Sequence, residues 1–300
     1  MIATRTTPAR TERLALCALV VSGLLWGMTW IPLKHFAAEG LSGLGMTVLS
    51  YGVVGLLALP LIWRERMAWK PQSTLLITAA LTGGAANVCF VSGLMLGDVV
   101  HVMLMFYLAP VWGVVGGRLF LGETITALRL ASVGMAVVGA AIVLGGPSLV
   151  SVPVSLADML GLGAGFLYAA QNIAFRAAHR VPVLSKALAV FTGCAIVSAV
   201  LFPLTGGSFP VVTPGLVIQT TAFAGIWMMA AMWTTMYGVT HLEAGRAAVL
   251  LVFELVAAVS SAMLIAGERL TALEWVGAAL ITAAALLEAR SSPSGERIAA

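Results

Sequence analysis

Leu119-Phe120-Leu121-Gly122-Glu123-Thr124-Ile125-Thr126-Ala127-Leu128 returns 145 residues later as Leu264-Ile265-Ala266-Gly267-Glu268-Arg269-Leu270-Thr271-Ala272-Leu273, with six of ten residues identical. A weaker pair joins Gly23-Leu24-Leu25-Trp26-Gly27-Met28-Thr29-Trp30-Ile31 to Gly165-Phe166-Leu167-Tyr168-Ala169-Ala170-Gln171-Asn172-Ile173 at an offset of 142. The same offset lays Lys34 on Arg176. The chain is therefore two copies of one unit, and the number of helices in each copy decides how the copies face each other.

A helix needs about 20 apolar residues to cross the hydrocarbon core. Stretches free of Asp, Glu, Lys and Arg include 14–33, 40–63, 71–97, 99–117, 130–157, 159–175 and 187–242. The last is broken by Pro203, Gly206, Gly207, Pro210 and Pro214 and reads as two helices with a turn. Two more runs, 244–267 and 275–287, follow it; the first carries Arg246 and Glu254. The spacing predicts spans over 14–33, 43–63, 75–96, 100–120, 128–145, 157–176, 186–204, 215–237, 246–266 and 273–289. The first follows a basic tail, as a signal peptide would, but is too long for that and is read as a retained helix. Ten helices in two copies make five per copy. Five is odd, so the second copy enters the membrane from the opposite side. Such inverted repeats build many secondary transporters, with substrate bound near the midplane between the halves.

Lys and Arg in the loops set the orientation. With the N-terminus inside, the cytoplasmic segments hold Arg5, Arg10, Arg13, Arg64, Arg66, Lys70, Arg118, Arg129, Arg176, Arg180, Lys186, Arg246, Arg290 and Arg297, against only Lys34 and Arg269 outside. The expected fold is an all-α polytopic membrane protein with both termini cytoplasmic. Its parts are a tail over 1–13, a first repeat over 14–145, a periplasmic linker over 146–156, a second repeat over 157–289 and a tail over 290–300.

Composition agrees. Apolar residues make up 60% of the 300-residue chain and charged residues 9%, where soluble domains carry about a quarter. Mean hydropathy is +1.03. The net charge of +4 does not point to nucleic acid, because the basic residues are scattered between apolar runs and not clustered on one face. Cys17, Cys89 and Cys194 all sit inside apolar runs, which suits neither a disulfide framework nor a zinc site.

Trp26-Gly27-Met28-Thr29-Trp30-Ile31-Pro32-Leu33-Lys34 resembles the opening of EamA-type members of the drug/metabolite transporter superfamily. The two Gly-Glu segments, Gly122-Glu123 with Thr126 and Gly134, and Gly267-Glu268 with Thr271 and Gly277, resemble the signature that opens the last helix of each half in that family. The resemblance covers about residues 14–289. It implies ten helices in two EamA repeats, a bacterial inner-membrane location and export of amino acids or related metabolites. Within the family, the aromatic-rich interior is most similar to the YddG-type amino-acid exporters. The ninth helix departs from the pattern: it reads Phe253-Glu254-Leu255-Val256 where members often carry Glu-Pro, while Pro110 stands at the pseudo-symmetric place in the fourth.

Polar groups inside a span are costly and mark candidate sites. Glu254 lies mid-span, with no basic residue expected at its depth. It either meets a substrate ammonium or a coupled proton, or serves as a neutral helix–helix contact. Tyr168, Gln171, Asn172 and Phe175 fall on one helical face by their spacing, and Trp26, Thr29 and Trp30 occupy the matching face of the first helix. Asn87, Tyr107 and Trp227 complete the candidate substrate-binding set of Trp26, Trp30, Asn87, Tyr107, Tyr168, Gln171, Asn172, Trp227 and Glu254. Each has a packing alternative. Pro32 and Pro110 are expected to kink their helices. Lys34, His35, Asp98 and His101 read as solvated span ends. The Gly-x-x-x-Gly pairs Gly23/Gly27, Gly93/Gly97, Gly113/Gly117 and Gly161/Gly165 permit close helix approach, within one chain or between two.

An intramembrane enzyme would need a nucleophile with its base, or clustered metal ligands. His35, His101, His179 and His241 are scattered instead. No Walker motif supports a pump, and polar positions are too few for a channel. No mid-membrane Lys or Arg offers a clamp for a phosphorylated substrate. The expectation is a carrier, not an enzyme, with no cofactor and no metal. Its partners are a small-molecule substrate, the lipid bilayer and protons as candidate coupling ion, with a homodimer left open. Efflux of drugs or cationic metabolites is the alternative reading.

Overall fold

Apolar runs inside lipid must satisfy every backbone group internally, which helices do. The computed structural model describes residues 9–144, 154–178, 180–205, 208–209, 213–242, 250 and 252–291, and every regular element among them is helical. The first half contains α1 (Ala9–Gly27), α2 (Trp30–Ala38), α3 (Gly43–Arg64), the short α4 (Arg66–Trp69), α5 (Ser73–Leu96), α6 (Val99–Phe106), α7 (Ala109–Leu121) and α8 (Ala127–Val143). The second contains α9 (Leu156–Ala177), α10 (Val183–Leu204), α11 (Pro214–Ala222), α12 (Met229–His241), α13 (Phe253–Ser261) and α14 (Ala272–Ser291). Five helical stretches among the described residues are long and apolar enough to cross a membrane: Arg10–Ala38, Arg66–Leu96, Val99–Leu121, Ser185–Leu204 and Pro214–Thr235. Ala127–Val143, Phe253–Ala266 and Ala272–Leu287 are shorter apolar helices.

The expected spans 43–63, 75–96, 157–176, 186–204 and 273–289 fall within α3, α5, α9, α10 and α14. Both termini, most of the expected linker, His179 and Arg246 lie outside the described residues.

Two expected rods are bent at their prolines. The first breaks between α1 and α2, just before Pro32, and another between α6 and α7, just before Pro110. A proline has no N–H to give the carbonyl one turn back. Around the first break, the Thr29 N–H pairs with Trp26 O at 3.1 Å and the Ile31 N–H with Met28 O at 3.1 Å, both tighter than α-helical spacing. Two π-helical stretches were not foreseen: Phe223–Met228 joins α11 to α12, and Ala262–Ala266 follows α13.

Glycines set the closest helix contacts. A methyl group added at Gly27 would lie 2.7 Å from the Glu254 carbonyl oxygen, and one at Gly23 would lie 3.3 Å from the Glu254 nitrogen. So α1 of the first half is seated on α13 of the second. The reverse contact joins α9 to α6: a methyl at Gly165 would lie 2.7 Å from Phe106 O, and one at Gly161 2.8 Å from Val102 O. These two Gly-x-x-x-Gly pairs therefore pack helices within the chain. Last helices also meet, α8 against α14, with Gly139 and Gly277 each facing the other's carbonyl. Buried side chains from both halves, including Leu33, Met103, Leu255 and Ile281, merge into one core cluster.

Candidate functional site

The seam between α6–α7, α9 and α13 brings several of the candidate side chains near one another. Tyr107 stands in the break between α6 and α7, where Pro110 has loosened the backbone. Its hydroxyl lies close to the backbone N–H of Leu255 in the first turn of α13, an N–H that also pairs with Val252 O at 3.1 Å. Glu254 is the neighbouring residue in that turn, half-buried, and lies within electrostatic reach of Tyr107 and of Tyr168 from α9. Among the described residues, no group hydrogen-bonds or ion-pairs with the Glu254 carboxyl. Asn172, one turn beyond Tyr168, places its side-chain amide beside the Tyr168 hydroxyl. Tyr168 is 41% exposed, so its ring borders open space and not the core.

Aromatic rings extend this surface. Phe106 lies 5.4 Å from Tyr168, 5.9 Å from Tyr107 and 4.9 Å from Phe90, centroid to centroid. Such spacings suit edge-on and offset ring contacts. Sequence reading did not single out Phe90; its place one turn after Asn87 on α5 is the signal that was available.

The other candidates sit apart from this group. Residues 171 and 172 are 100° apart on a helix, and the expected polar face of α9 splits there. Gln171 is buried against α5, its Oε1 beside Gly83, while Asn172 stays with Tyr168. Phe175 lies under the Lys186 ammonium at 5.7 Å. Asn87 donates to the Tyr51 hydroxyl at 3.2 Å, and Tyr51 stacks on Phe191 at 5.6 Å. The three tryptophans hold α1 and α2. Trp26 donates to Thr235 Oγ1 at 3.1 Å, and Trp30 to Ser261 Oγ at 2.9 Å. Trp227, inside the first π-helical stretch, donates to Leu25 O at 3.1 Å and Thr29 Oγ1 at 3.2 Å. Since the Thr29 N–H has turned to Trp26 O, Leu25 O is served instead by the Thr29 hydroxyl, at 2.7 Å, and by the Trp227 indole.

Among the described residues, no group of three His, Cys, Asp or Glu side chains has a metal-binding arrangement. The chemistry available is recognition: an acid, two phenol hydroxyls, an amide and a run of aromatic rings. A solved crystal structure aligns with 94% of this chain and 96% of its own at a TM-score of 0.54 and 17% identity, a likeness of fold alone. No curated protein matches the chain in sequence. The profile of the EamA-like transporter family matches residues 13–145 and again residues 155–289. Matched twice over nearly all of its length, the chain belongs to the EamA-like transporter family, whose members carry small molecules across membranes.

Proposed function

We propose that this transporter exports amino acids, apolar and aromatic ones above all, or related small metabolites, across a bacterial inner membrane by alternating access. In this reading ten helices form two inverted five-helix repeats over 14–145 and 157–289. They are joined by a periplasmic linker over 146–156 and flanked by cytoplasmic tails over 1–13 and 290–300, as in the YddG-type exporters. The observation that carries it is Glu254: an acid with no described partner, facing tyrosines on helices of both repeats. A substrate ammonium would meet Glu254. A carboxylate would meet the hydroxyls of Tyr107 and Tyr168, and an apolar side chain would lie along Phe106 and Phe90. Trp26, Trp30, Asn87, Gln171, Asn172 and Trp227 complete the substrate-binding set, holding the helices that frame this space or lining it in another conformation.

Counterflow in proteoliposomes against a panel of amino acids and cationic drugs tests this reading. Glu254→Gln should raise the half-saturating concentration of amino acids and spare substrates without an amine. If Glu254 also carries the coupling proton, the variant should lose dependence on a pH gradient and keep counterflow. Unchanged transport and pH dependence in both Glu254→Gln and Glu254→Leu would overturn both roles. Counterflow of cationic drugs with none for amino acids would move the protein to drug efflux. A reporter fused at Ala300 should read cytoplasmic and one near Ser208 periplasmic; matching readings at both would overturn the inverted arrangement.

A further inference from the structure

The sequence leaves His101 at a solvated span end, yet the structure places both of its ring nitrogens against carboxylates. Nδ1 lies 3.5 Å from Asp158 Oδ1, and Nε2 lies 3.3 Å from Glu274 Oε1. The imidazole is 27% exposed and Asp158 only 10%. The three residues stand at the N-terminal turns of α6, α9 and α14.

Each carboxylate is already half engaged by its own helix. Asp158 is the third residue of α9, and its Oδ2 accepts the Ser155 hydroxyl at 2.6 Å and the Ser155 N–H at 3.3 Å. Ser155 Oγ in turn accepts the Asp158 N–H at 3.1 Å. Glu274 is the third residue of α14; its Oε2 accepts the Thr271 N–H at 2.6 Å, and Thr271 Oγ1 accepts the Glu274 N–H at 3.3 Å. These are reciprocal capping boxes, which fix the two carboxylates in place. The spare oxygen of each points at opposite edges of one imidazole.

A neutral imidazole has one N–H and one lone pair. It can donate to Asp158 or to Glu274, and its other nitrogen then turns a lone pair toward a carboxylate. Only the protonated ring donates to both. Other charges nearby are differently engaged. Asp98, just before α6, is exposed; Glu268 is bound to the N–H groups of Val99 and Val100; Lys34 is held by Gly97 O at 2.6 Å; and Arg269 is exposed in the turn before α14.

We propose that His101 is a proton-dependent latch. Protonated, it ties α6 of the first repeat to α9 and α14 of the second; deprotonated, it releases one of them. With the orientation given under the proposed function, on which this consequence rests, the latch sits at the outer end, and external acid holds that end shut. His101 acts here as a positioning residue that sets which mouth is open.

Hydrogen exchange of the full-length protein in nanodiscs reads the latch without any transport assay. Rates are compared at about pH 5.5 and about pH 8.5, on either side of the ordinary histidine range, after correction for intrinsic exchange. Amides over 156–162 and 272–278 should exchange on the order of tenfold more slowly in acid, reflecting one added charge-assisted hydrogen bond. His101→Gln should abolish the difference. His101→Arg, charged at both values, should be protected at both, and it keeps the test alive if the Gln variant fails to fold. Wild-type protection that ignores pH, or a pH effect that survives in His101→Gln, overturns the latch. A latch that passes while amino-acid counterflow is absent would overturn the transport reading alone. Amino-acid counterflow without pH-dependent protection would overturn the latch alone.

Discussion

The two Gly-Glu turns share a backbone and differ in what their carboxylates hold. Gly122 and Gly267 both adopt the left-handed conformation, at φ of 70° and 72°. The next N–H bonds back to the preceding helix in each: Glu123 to Gly117 O at 3.1 Å, Glu268 to Ala262 O at 3.3 Å. These bonds reach six residues back, one more than a Schellman closure, and the left-handed glycine permits the turn. Thr126 and Thr271 then cap the following helices, each accepting an N–H at 3.3 Å. Beyond the backbone the likeness ends. Glu268 places its two oxygens 2.9 Å from the N–H groups of Val99 and Val100 at the start of α6. Glu123 instead lies between Arg129, at 3.2 Å, and Arg176. The residue three places after the capping threonine is Arg129 in one turn and Glu274 in the other. A guanidinium draws Glu123 along its own turn, whereas Glu274 offers Glu268 only repulsion. Repeated sequence thus repeats the chain path, while the partner of each carboxylate depends on what stands opposite.

That contrast can be broken by experiment. Glu268→Ala should have the largest effect, because two N–H groups of α6 lose a charged acceptor. Thermal unfolding of the purified protein should register about 3 kcal/mol, and an equal loss in Glu123→Ala would erase the difference between the turns. Gly122→Ala and Gly267→Ala should each cost about 1–2 kcal/mol, the penalty for a side chain in the left-handed region. Equal melting shifts in these two would confirm a common backbone, and unequal ones would deny it. Glu123→Ala should cost about 1 kcal/mol, since its pair with half-exposed Arg176 is weak and that with largely buried Arg129 less so, and added salt should shrink the shift while leaving that of Glu268→Ala in place. Thr126→Ala, which removes a single cap, should cost roughly 0.5–1 kcal/mol in the same measurement.

Much of the helical framework was legible because span length and charge spacing obey the bilayer. The breaks near Pro32 and Pro110 follow from a missing N–H, which sequence displays directly. The π-helical stretches were not legible, since Phe223–Met228 and Ala262–Ala266 hold no residue that forces an extra one into a turn. At the candidate site, Tyr107, Tyr168, Asn172 and Glu254 were picked as polar or aromatic groups deep in apolar runs, and they lie together. Gln171 met the same criterion, but one step of helical rotation turns it toward Gly83. His101 was read as solvated because its partners, Asp158 and Glu274, are 57 and 173 residues away in sequence, beyond the reach of any local pattern.

The crossed glycine seats bear on how the chain is made. Helix α1 leaves the ribosome early, yet the surface that fills Gly23 and Gly27 belongs to α13, near the end of synthesis. Until then the first half waits in the bilayer with its seam open to lipid or to other insertion partners. α9 is spared that wait, because α6 is already in place when Gly161 and Gly165 arrive. A chain cut within the linker region and expressed as two fragments should therefore reassemble only when both are present. The first fragment alone should be the one that quality-control proteases remove.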